Sequence, residues 1–136
     1  MYLFFAEPDA AGSELYVGVT AEGATCGFRI YGRERSSPLV AVGRARGREH
    51  AKWIERQRKR LAKYESYWHA TEKGQWVRHP GWPVKSEEWK KIGAWIVRRK
   101  FSAAAAARKG FEGEIAKTFR ELYCLYEFTS TSSWKP

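Results

Sequence analysis

The chain has 136 residues and 43% hydrophobic content, with seven each of Trp, Tyr and Phe, which suits one globular domain with a packed core. Its formal net charge of +10 favours a polyanionic partner, and nucleic acid, either DNA or RNA, is the first candidate. Two distant cysteines, Cys26 and Cys124, indicate neither a zinc site nor a disulfide framework, and the absence of a long apolar run predicts a soluble cytoplasmic protein with no membrane partner.

The positive charge is concentrated in the middle of the chain. Residues 1–28 carry −4, residues 29–63 carry +9, and the rest of the chain carries +5. Such a distribution indicates a basic face of the kind that binds phosphates. The alternative is a solvated helix face, which is the commoner meaning of a run of charge.

The N-terminal third of the chain predicts short strands. "MYLFFAE" and "LYVGVT" are rich in strand-forming residues and predict a hairpin, joined by the loop sequence "PDAAGSE". "FRIYGRER" is ambiguous between a short helix and an irregular strand, and we favour the helix. "PLVAVGRA" then predicts a third strand.

From Arg48 the spacing of the apolar residues becomes helical. Large side chains recur at three- and four-residue steps and predict one buried stripe on a helix. Glu55 lies about 100° around the helix from Ile54, at the edge of this stripe. The stripe consists of Trp53, Ile54, Gln57, Leu61, Tyr64 and Trp68.

The second half of the chain predicts a loop followed by helices. Residues 74–85, "GQWVRHPGWPVK", contain two prolines and two glycines and predict an irregular aromatic loop. Ser86 is the predicted cap of a helix that carries Trp89, Ile92 and Ile96 on its inner side. Gly110 precedes a last predicted helix, whose apolar positions are Phe111, Ile115, Phe119, Leu122 and Tyr126.

These elements predict an α/β fold of the α+β kind. We expect a small three-stranded antiparallel sheet with flanking helices and a C-terminal helical extension. Residues 1–80 form the predicted nucleic-acid-binding domain, and residues 81–136 form the helical extension packed on it.

The order of these features resembles the GIY-YIG endonuclease family, in its compact bacterial and phage branch. The second motif of that family corresponds to "YVG" at 16–18, and the first corresponds to "YLF" at 2–4. Phe4 then stands where the family has its tyrosine, unless a longer hairpin brings Tyr2 to that place. "RIYGRERSSPL" resembles the arginine-bearing segment of the branch.

The resemblance implies a metal-dependent endonuclease that hydrolyses phosphodiester bonds of nucleic acid. Tyr2 or Tyr16 would deprotonate or orient the attacking water. Arg29, or Arg33 as the alternative, would neutralise charge that develops on the phosphorane. Each residue also has a structural interpretation, since strand tyrosines usually pack a sheet and an arginine can simply contact phosphate.

Glu55 is the metal ligand that the resemblance implies. Its segment "AKWIERQ" resembles the alanine-then-Ile-Glu pattern of the family, and the carboxylate would bind one Mg²⁺ that stabilises the leaving 3′ oxygen. The alternative is an ordinary helix ion pair, because Arg58 and Lys59 follow Glu55 by three and four residues.

A binding protein with no chemistry is the competing function. Such a protein, which could be phage-encoded, would contact phosphates with its basic residues or dock on a larger nucleic-acid enzyme to regulate it. A helical interaction module, based on the C-terminal helices, is a third class. The predicted nucleic-acid-binding residues are Arg33, Arg44, Arg46, Arg48, Lys52, Arg56, Arg58, Lys59 and Arg60.

The tryptophans of the predicted aromatic loop also have two interpretations. Trp68, Trp76 and Trp82 are interleaved with basic residues and could stack on exposed bases. Packing in the core is the favoured use, because large apolar side chains are rarely left in water.

Overall fold

The structure of the protein is a computed structural model, and it describes residues 2–5, 13–31, 46–47, 49–130 and 134–135. The described residues form one six-stranded antiparallel sheet in the order β1-β2-β3-β6-β4-β5. The strands are β1 (Tyr2–Phe5), β2 (Ser13–Thr20), β3 (Gly23–Tyr31), β4 (Glu65–Glu72), β5 (Gln75–Pro80) and β6 (Ile92–Ser102).

Tight turns form two of the hairpins in this sheet. Gly23 begins β3 with a φ of 145°, which an L side chain rarely adopts. Lys73 and Gly74 join β4 to β5 with φ values of 51° and 76°, the positive pair that a two-residue hairpin turn requires. These turns make β2 with β3, and β4 with β5, neighbours in the sheet.

Helices cover one face of the sheet. The helices are α1 (Ala51–Arg60), α2 (Ser86–Trp89), α3 (Ala103–Ala106) and α4 (Phe111–Ser130). Trp53 of α1 stacks on Phe128 of α4, with ring centroids 4.6 Å apart. Ile54 and Leu122 belong to the same buried cluster as Phe28 of β3. Hence α1 and α4 lie side by side on this face.

Strand alternation defines the two faces of the sheet. Leu15, Phe28 and Val97 are buried in the cluster below α1 and α4, on what we call the helix face. Their neighbours along the strands, including Tyr16 and Arg29, lie on the opposite side, which we call the far face.

The predicted three-stranded sheet is wrong, because the second half of the chain adds three strands. β4 includes Trp68, which was predicted to extend the helix stripe, and β5 lies in the predicted aromatic loop. β6 replaces most of the helix predicted after Ser86, of which only α2 forms. The fold class is α+β, as expected, with a larger sheet.

The position of β6 explains why its sequence was interpreted as a helix. β6 pairs with β3 on one side and with β4 on the other, so it is a central strand. Trp95 and Val97 are buried on the helix face, while Ala94 and Ile96 are buried on the far face. A strand buried on both sides has no polar alternation, and its apolar residues then also fit helical spacing.

The C-terminal segment is therefore not a purely helical extension. β6, from residues 92–102, lies between strands of the first 80 residues. The last predicted helix is confirmed as α4, which begins directly after Gly110. In the described part of the chain, no helix is both long and apolar enough to cross a membrane.

The remaining predictions concern residues 28–45. The predicted short helix in "FRIYGRER" is wrong at its start, because Phe28–Tyr31 belongs to β3. The third strand predicted in "PLVAVGRA" lies outside the described residues.

Candidate nucleic-acid interface

Three cations form a row along the outer side of α1. Lys52, Arg56 and Lys59 follow one another at steps of four and three residues, which places them on one line of the helix. Trp53 and Ile54 occupy the opposite, buried side. All three cations are exposed, and among the residues that the structure describes none of them forms an ion pair or a side-chain hydrogen bond. We call these three residues the α1 row.

The carboxylate of Glu121 on α4 binds other side chains of the same region. It accepts hydrogen bonds from Lys63 Nζ at 3.0 Å and from Tyr64 Oη at 2.7 Å. Arg60 donates to the main-chain oxygen of Glu121 at 3.1 Å and contacts Cys124 Sγ at 2.9 Å. Arg60 therefore joins α1 to α4, which is a structural use of a predicted phosphate-binding residue.

Glu55 forms an ion pair with Arg58, one turn further along α1. Arg58 Nε donates to Glu55 Oε2 at 2.9 Å, and Arg58 Nη2 donates to Glu55 Oε1. This hydrogen bonding lowers the pKa of Glu55. The geometry fits the helix ion pair that was the alternative to a metal site. Within the described residues, no group of three or more His, Cys, Asp or Glu side chains is placed to hold a metal ion.

The far face carries a second arrangement of charge, which begins at β2 and β3. Arg29 Nε donates to Glu14 Oε1 at 3.1 Å, and the Arg29 guanidinium lies 5.3 Å from the centroid of the Tyr16 ring. Burial raises the pKa of the Tyr16 phenol, and the nearby guanidinium of Arg98 on β6 opposes this rise. Tyr16 and Arg98 face each other across Gly27, which pairs with both residues and has no side chain to separate them.

The arrangement continues onto β4 and β5. The ring of Tyr67 lies between two guanidiniums, 4.9 Å from that of Arg98 and 3.7 Å from that of Arg78. Glu65 accepts hydrogen bonds from both arginines, at 3.1 and 3.3 Å from Arg98 and at 3.3 Å from Arg78. These hydrogen bonds, chiefly those from Arg98, lower the pKa of Glu65.

Arginine and tyrosine thus alternate along the far face. We call this arrangement the arginine-tyrosine ladder, and it consists of Arg29, Tyr16, Arg98, Tyr67 and Arg78. The guanidiniums lie over or beside aromatic rings, and two glutamates, Glu14 and Glu65, balance part of their charge.

Tyr16 is poorly suited to act as a general base. Its side chain is only 5% exposed, and burial raises its pKa to about 12. A phenol with this pKa stays protonated at neutral pH and can donate or accept hydrogen bonds there, but it does not take up a proton.

The structure does not bring the predicted catalytic residues together. Tyr16 and Arg29 lie on the far face, whereas Glu55 lies on α1, which packs against the helix face. Tyr2 lies in β1 and pairs with Gly18 of β2. The sheet therefore separates the predicted arginine from the predicted metal ligand.

The other predicted nucleic-acid-binding residues differ in position. Arg33, Arg44 and Arg48 lie outside the described residues. Arg46 donates to the main-chain oxygens of Phe128 at 2.6 Å and Glu127 at 3.3 Å. These are orphan carbonyls near the C-terminus of α4, so Arg46 caps that helix.

The tryptophans of the predicted aromatic loop are used in two ways. Trp68 is buried in the core, and Trp82 packs against it, as favoured from the sequence. Trp76 is different, because its side chain is 44% exposed. Its ring stacks on His69 of β4, with centroids 5.2 Å apart.

Sequence reasoning missed the ladder residues on β4, β5 and β6. Tyr67 and Arg98 were not singled out, because both segments were interpreted as helix, and Arg78 was noted only as a basic residue interleaved with the tryptophans of the predicted aromatic loop. The sequence "ESYWHATE" contains a signal for a strand, because successive residues point to opposite faces. Glu65, Tyr67 and His69 then share one face, and Ser66 and Trp68 share the other. The contacts of Arg98 with Tyr67 and Glu65 also depend on the order of the strands in the sheet, which no local pattern predicts.

No family model, no curated protein and no solved structure matches this chain. The resemblance to the GIY-YIG endonuclease family therefore stays a prediction.

Proposed function

We propose that the protein binds nucleic acid, with the α1 row as its phosphate-contacting surface. The observation that carries the proposal is the exposure of Lys52, Arg56 and Lys59 on one line of α1, where none of them forms an ion pair or a side-chain hydrogen bond with another described residue. The overall charge of +10 supports a polyanionic ligand.

The geometry of the row suits contacts with a phosphate backbone. Steps of four and three residues correspond to about 6 Å and about 4.5 Å along the helix axis. Because α1 is fixed to the core by Trp53 and Ile54, its outer side is a rigid support for three flexible cations. Contacts of this kind depend on phosphate and carry no sequence information.

Binding without catalysis is the form of the function that the geometry favours. In the predicted endonuclease, Arg29 and a Mg²⁺ held by Glu55 would act on one phosphate, yet these residues lie on opposite sides of the sheet. Both carboxylate oxygens of Glu55 also accept hydrogen bonds from Arg58. The metal-dependent endonuclease stays a prediction from the resemblance, with less geometric support.

A salt titration of binding tests the proposal. The variant carries Lys52→Gln, Arg56→Gln and Lys59→Gln, and its binding to duplex DNA and duplex RNA is measured over a range of salt concentrations. We expect weaker binding to every sequence, and a slope of log K against log salt that is smaller by about 3, since each phosphate contact contributes about 0.9.

The control variant removes the same charge elsewhere. Lys90→Gln, Arg108→Gln and Lys109→Gln change exposed residues that follow α2 or separate α3 from α4. We expect this variant to keep most of the wild-type slope. Equal slopes for the two variants would assign the binding to net charge and overturn the α1 row as the contact surface. A wild-type protein that binds no nucleic acid would overturn the proposed function.

A further inference from the structure

We infer that the far face carries a second binding site, formed around Trp76, on which an unpaired base of a single-stranded nucleic acid stacks. The inference rests on the proposed function in one respect, because it takes nucleic acid as the ligand. It concerns different residues and a different contact, which is aromatic stacking instead of ion pairing.

Trp76 is held in position by its neighbours although it is exposed. Its ring is parallel to that of His69, with an angle of 7° between the planes. Its outer edge lies against Gly93 of β6, where an added Cβ atom would come within 2.7 Å of the ring. Because Gly93 has no side chain, the Trp76 ring can lie directly against the backbone of β6. The result is a fixed aromatic surface with 44% of the side chain accessible.

The exposure of Trp76 contrasts with the other tryptophans of the described chain. Trp53, Trp68, Trp89 and Trp95 are buried, and the remaining two are half-buried. The Trp76 ring is held in place by His69 and Gly93 yet keeps 44% of its surface accessible, which gives a ligand a fixed aromatic surface to contact. Base stacking uses such rings in proteins that bind single strands.

Positive charge lies on the same face as the ring, beginning with Arg78, two residues along β5 from Trp76. Arg78 is opposite His69 in the strand register, and its side chain is 53% exposed. The Arg78 guanidinium lies over the Tyr67 ring and shares the carboxylate of Glu65 with Arg98, which is five residues from Gly93 along β6. The group therefore has net positive charge. Burial, together with the charge of Arg78, lowers the pKa of His69, so the ring under Trp76 is neutral at pH 7.

A fixed aromatic ring with positive charge further along the same face fits a ligand that is both planar and anionic. An unpaired nucleotide has these properties, because its base offers a ring face and its phosphate offers the negative charge. A duplex does not, because its bases are already stacked on one another. The far face is thus suited to single strands, whereas the α1 row, on the other side of the sheet, contacts phosphates of any form.

Two oligomers of equal length and charge test the inference. One is oligothymidylate and the other is an abasic oligomer with the same phosphodiester backbone. Wild type is expected to bind the thymidine oligomer more tightly and to show tryptophan fluorescence quenching with that oligomer only. Trp76→Leu is expected to lose roughly 5-fold or more in affinity for the thymidine oligomer, with little change for the abasic oligomer.

Two further variants separate stacking from folding. Trp76→Phe keeps an aromatic ring and is expected to keep most of the preference for the thymidine oligomer. Tyr123→Leu is the matched control, since Tyr123 is 47% exposed on α4 and lies on the other side of the molecule. We expect this change to leave the preference at its wild-type value.

The outcomes distinguish the inference from the proposed function. Equal binding of the two oligomers by wild type, or a preference that survives Trp76→Leu, would overturn the inference and leave phosphate binding in place. A preference that is lost in Trp76→Leu would support the inference. If the α1 row variant also binds as tightly as wild type, the α1 row is overturned as the phosphate-contacting surface. Failure to bind either oligomer would overturn the inference, and failure to bind duplex DNA and RNA as well would overturn the proposed function.

Discussion

Two arrangements of arginine and glutamate on this protein differ in how they are assembled. Glu55 and Arg58 are three residues apart on α1 and form their pair within one turn of an exposed helix. The arginine-tyrosine ladder instead joins side chains from β2, β3, β4, β5 and β6, and Glu65 meets Arg98 across 33 residues of chain. The first arrangement can be read from local spacing, whereas the second exists only because the sheet forms.

The difference has energetic consequences. An exposed helix pair is screened by water and adds little to stability. In the ladder, Tyr16 is buried and the Arg98 side chain is 19% exposed, so these two side chains are largely shielded from solvent, whereas the Glu65 carboxylate that Arg98 binds is 40% exposed. We therefore expect changes in the ladder to affect the fold, and changes in the helix pair to affect only the surface charge.

Gly27→Ala should give the largest effect. A Cβ atom at this position would lie 2.4 Å from Val97 O and 2.8 Å from Arg98 Cα, and backbone atoms cannot rotate away. The β3–β6 pairing must shift, and Tyr16 and Arg98 must move apart. We expect the free energy of unfolding to fall by about 3 kcal/mol, seen as a melting temperature lower by roughly 10 °C in thermal unfolding.

Gly113→Ala is the control for this change. Gly113 lies in α4, and an added Cβ atom there has no neighbour within 4 Å. Replacing a helical glycine by alanine should raise the free energy of unfolding by about 0.5–1 kcal/mol. A similar stability for the two variants would show that Gly27 is not needed for close approach of the strands.

Arg98→Leu should give the next largest effect. The change removes the guanidinium beside the buried Tyr16 and the main partner of Glu65, which leaves an exposed carboxylate with Arg78 alone. We expect a loss of about 1–3 kcal/mol in the free energy of unfolding, measured by chemical denaturation.

Arg99→Leu tests whether the effect belongs to the ladder. Arg99 is the next residue on β6 but lies on the helix face, where it pairs with Glu114 at 3.5 Å and is more exposed than Arg98. This change should lower the free energy of unfolding by about 0.5 kcal/mol or less. Equal losses for the two arginines would mean that the ladder has no special contribution.

The ladder also predicts how stability depends on alkaline pH. Burial raises the pKa of Tyr16 to about 12, whereas a tyrosine in the unfolded chain ionises near pH 10. The unfolded state therefore loses its proton first, and stability that is complete below pH 10 is lost as the pH rises towards 12.

Tyr16→Phe isolates this effect, because the variant cannot ionise at that position. We expect the free energy of unfolding of wild type, relative to Tyr16→Phe, to fall by about 2–3 kcal/mol across this pH interval. Chemical denaturation of both proteins at several pH values gives the difference between their free energies of unfolding. Groups that titrate equally in the two proteins do not contribute to this difference. A constant difference would show that Tyr16 titrates normally in the folded protein.

Sequence reasoning predicted the elements whose pattern is local. α4 was predicted from apolar positions three and four residues apart, and "LYVGVT" lies within β2. β6 was not predicted, because Trp95 and Ile96 are buried on opposite faces of a central strand and show no alternation. The three residues of the α1 row lie in the predicted basic helix. The ladder was not predicted, because it depends on the order of the strands, which is decided by pairing between distant segments.

Glu55→Gln should give the smallest effect on the fold. The carboxylate is exposed, and among the described residues its ion-pair partner is a neighbour on the same helix, so we expect no measurable change in melting temperature. The change frees Arg58 and removes one negative charge beside the α1 row. Affinity for duplex DNA should therefore rise slightly, by less than about 5-fold, in a binding assay at low salt.

The same variant decides between the ion pair and the metal ligand at Glu55. Labelled single- and double-stranded DNA and RNA are incubated with wild type or Glu55→Gln, in Mg²⁺ or in EDTA. If Glu55 only pairs with Arg58, the variant binds at least as well and neither protein cuts. Cleavage by wild type in Mg²⁺ that is lost in Glu55→Gln would instead make Glu55 a metal ligand. The bidentate contact with Arg58 would then have to open before a metal ion could bind.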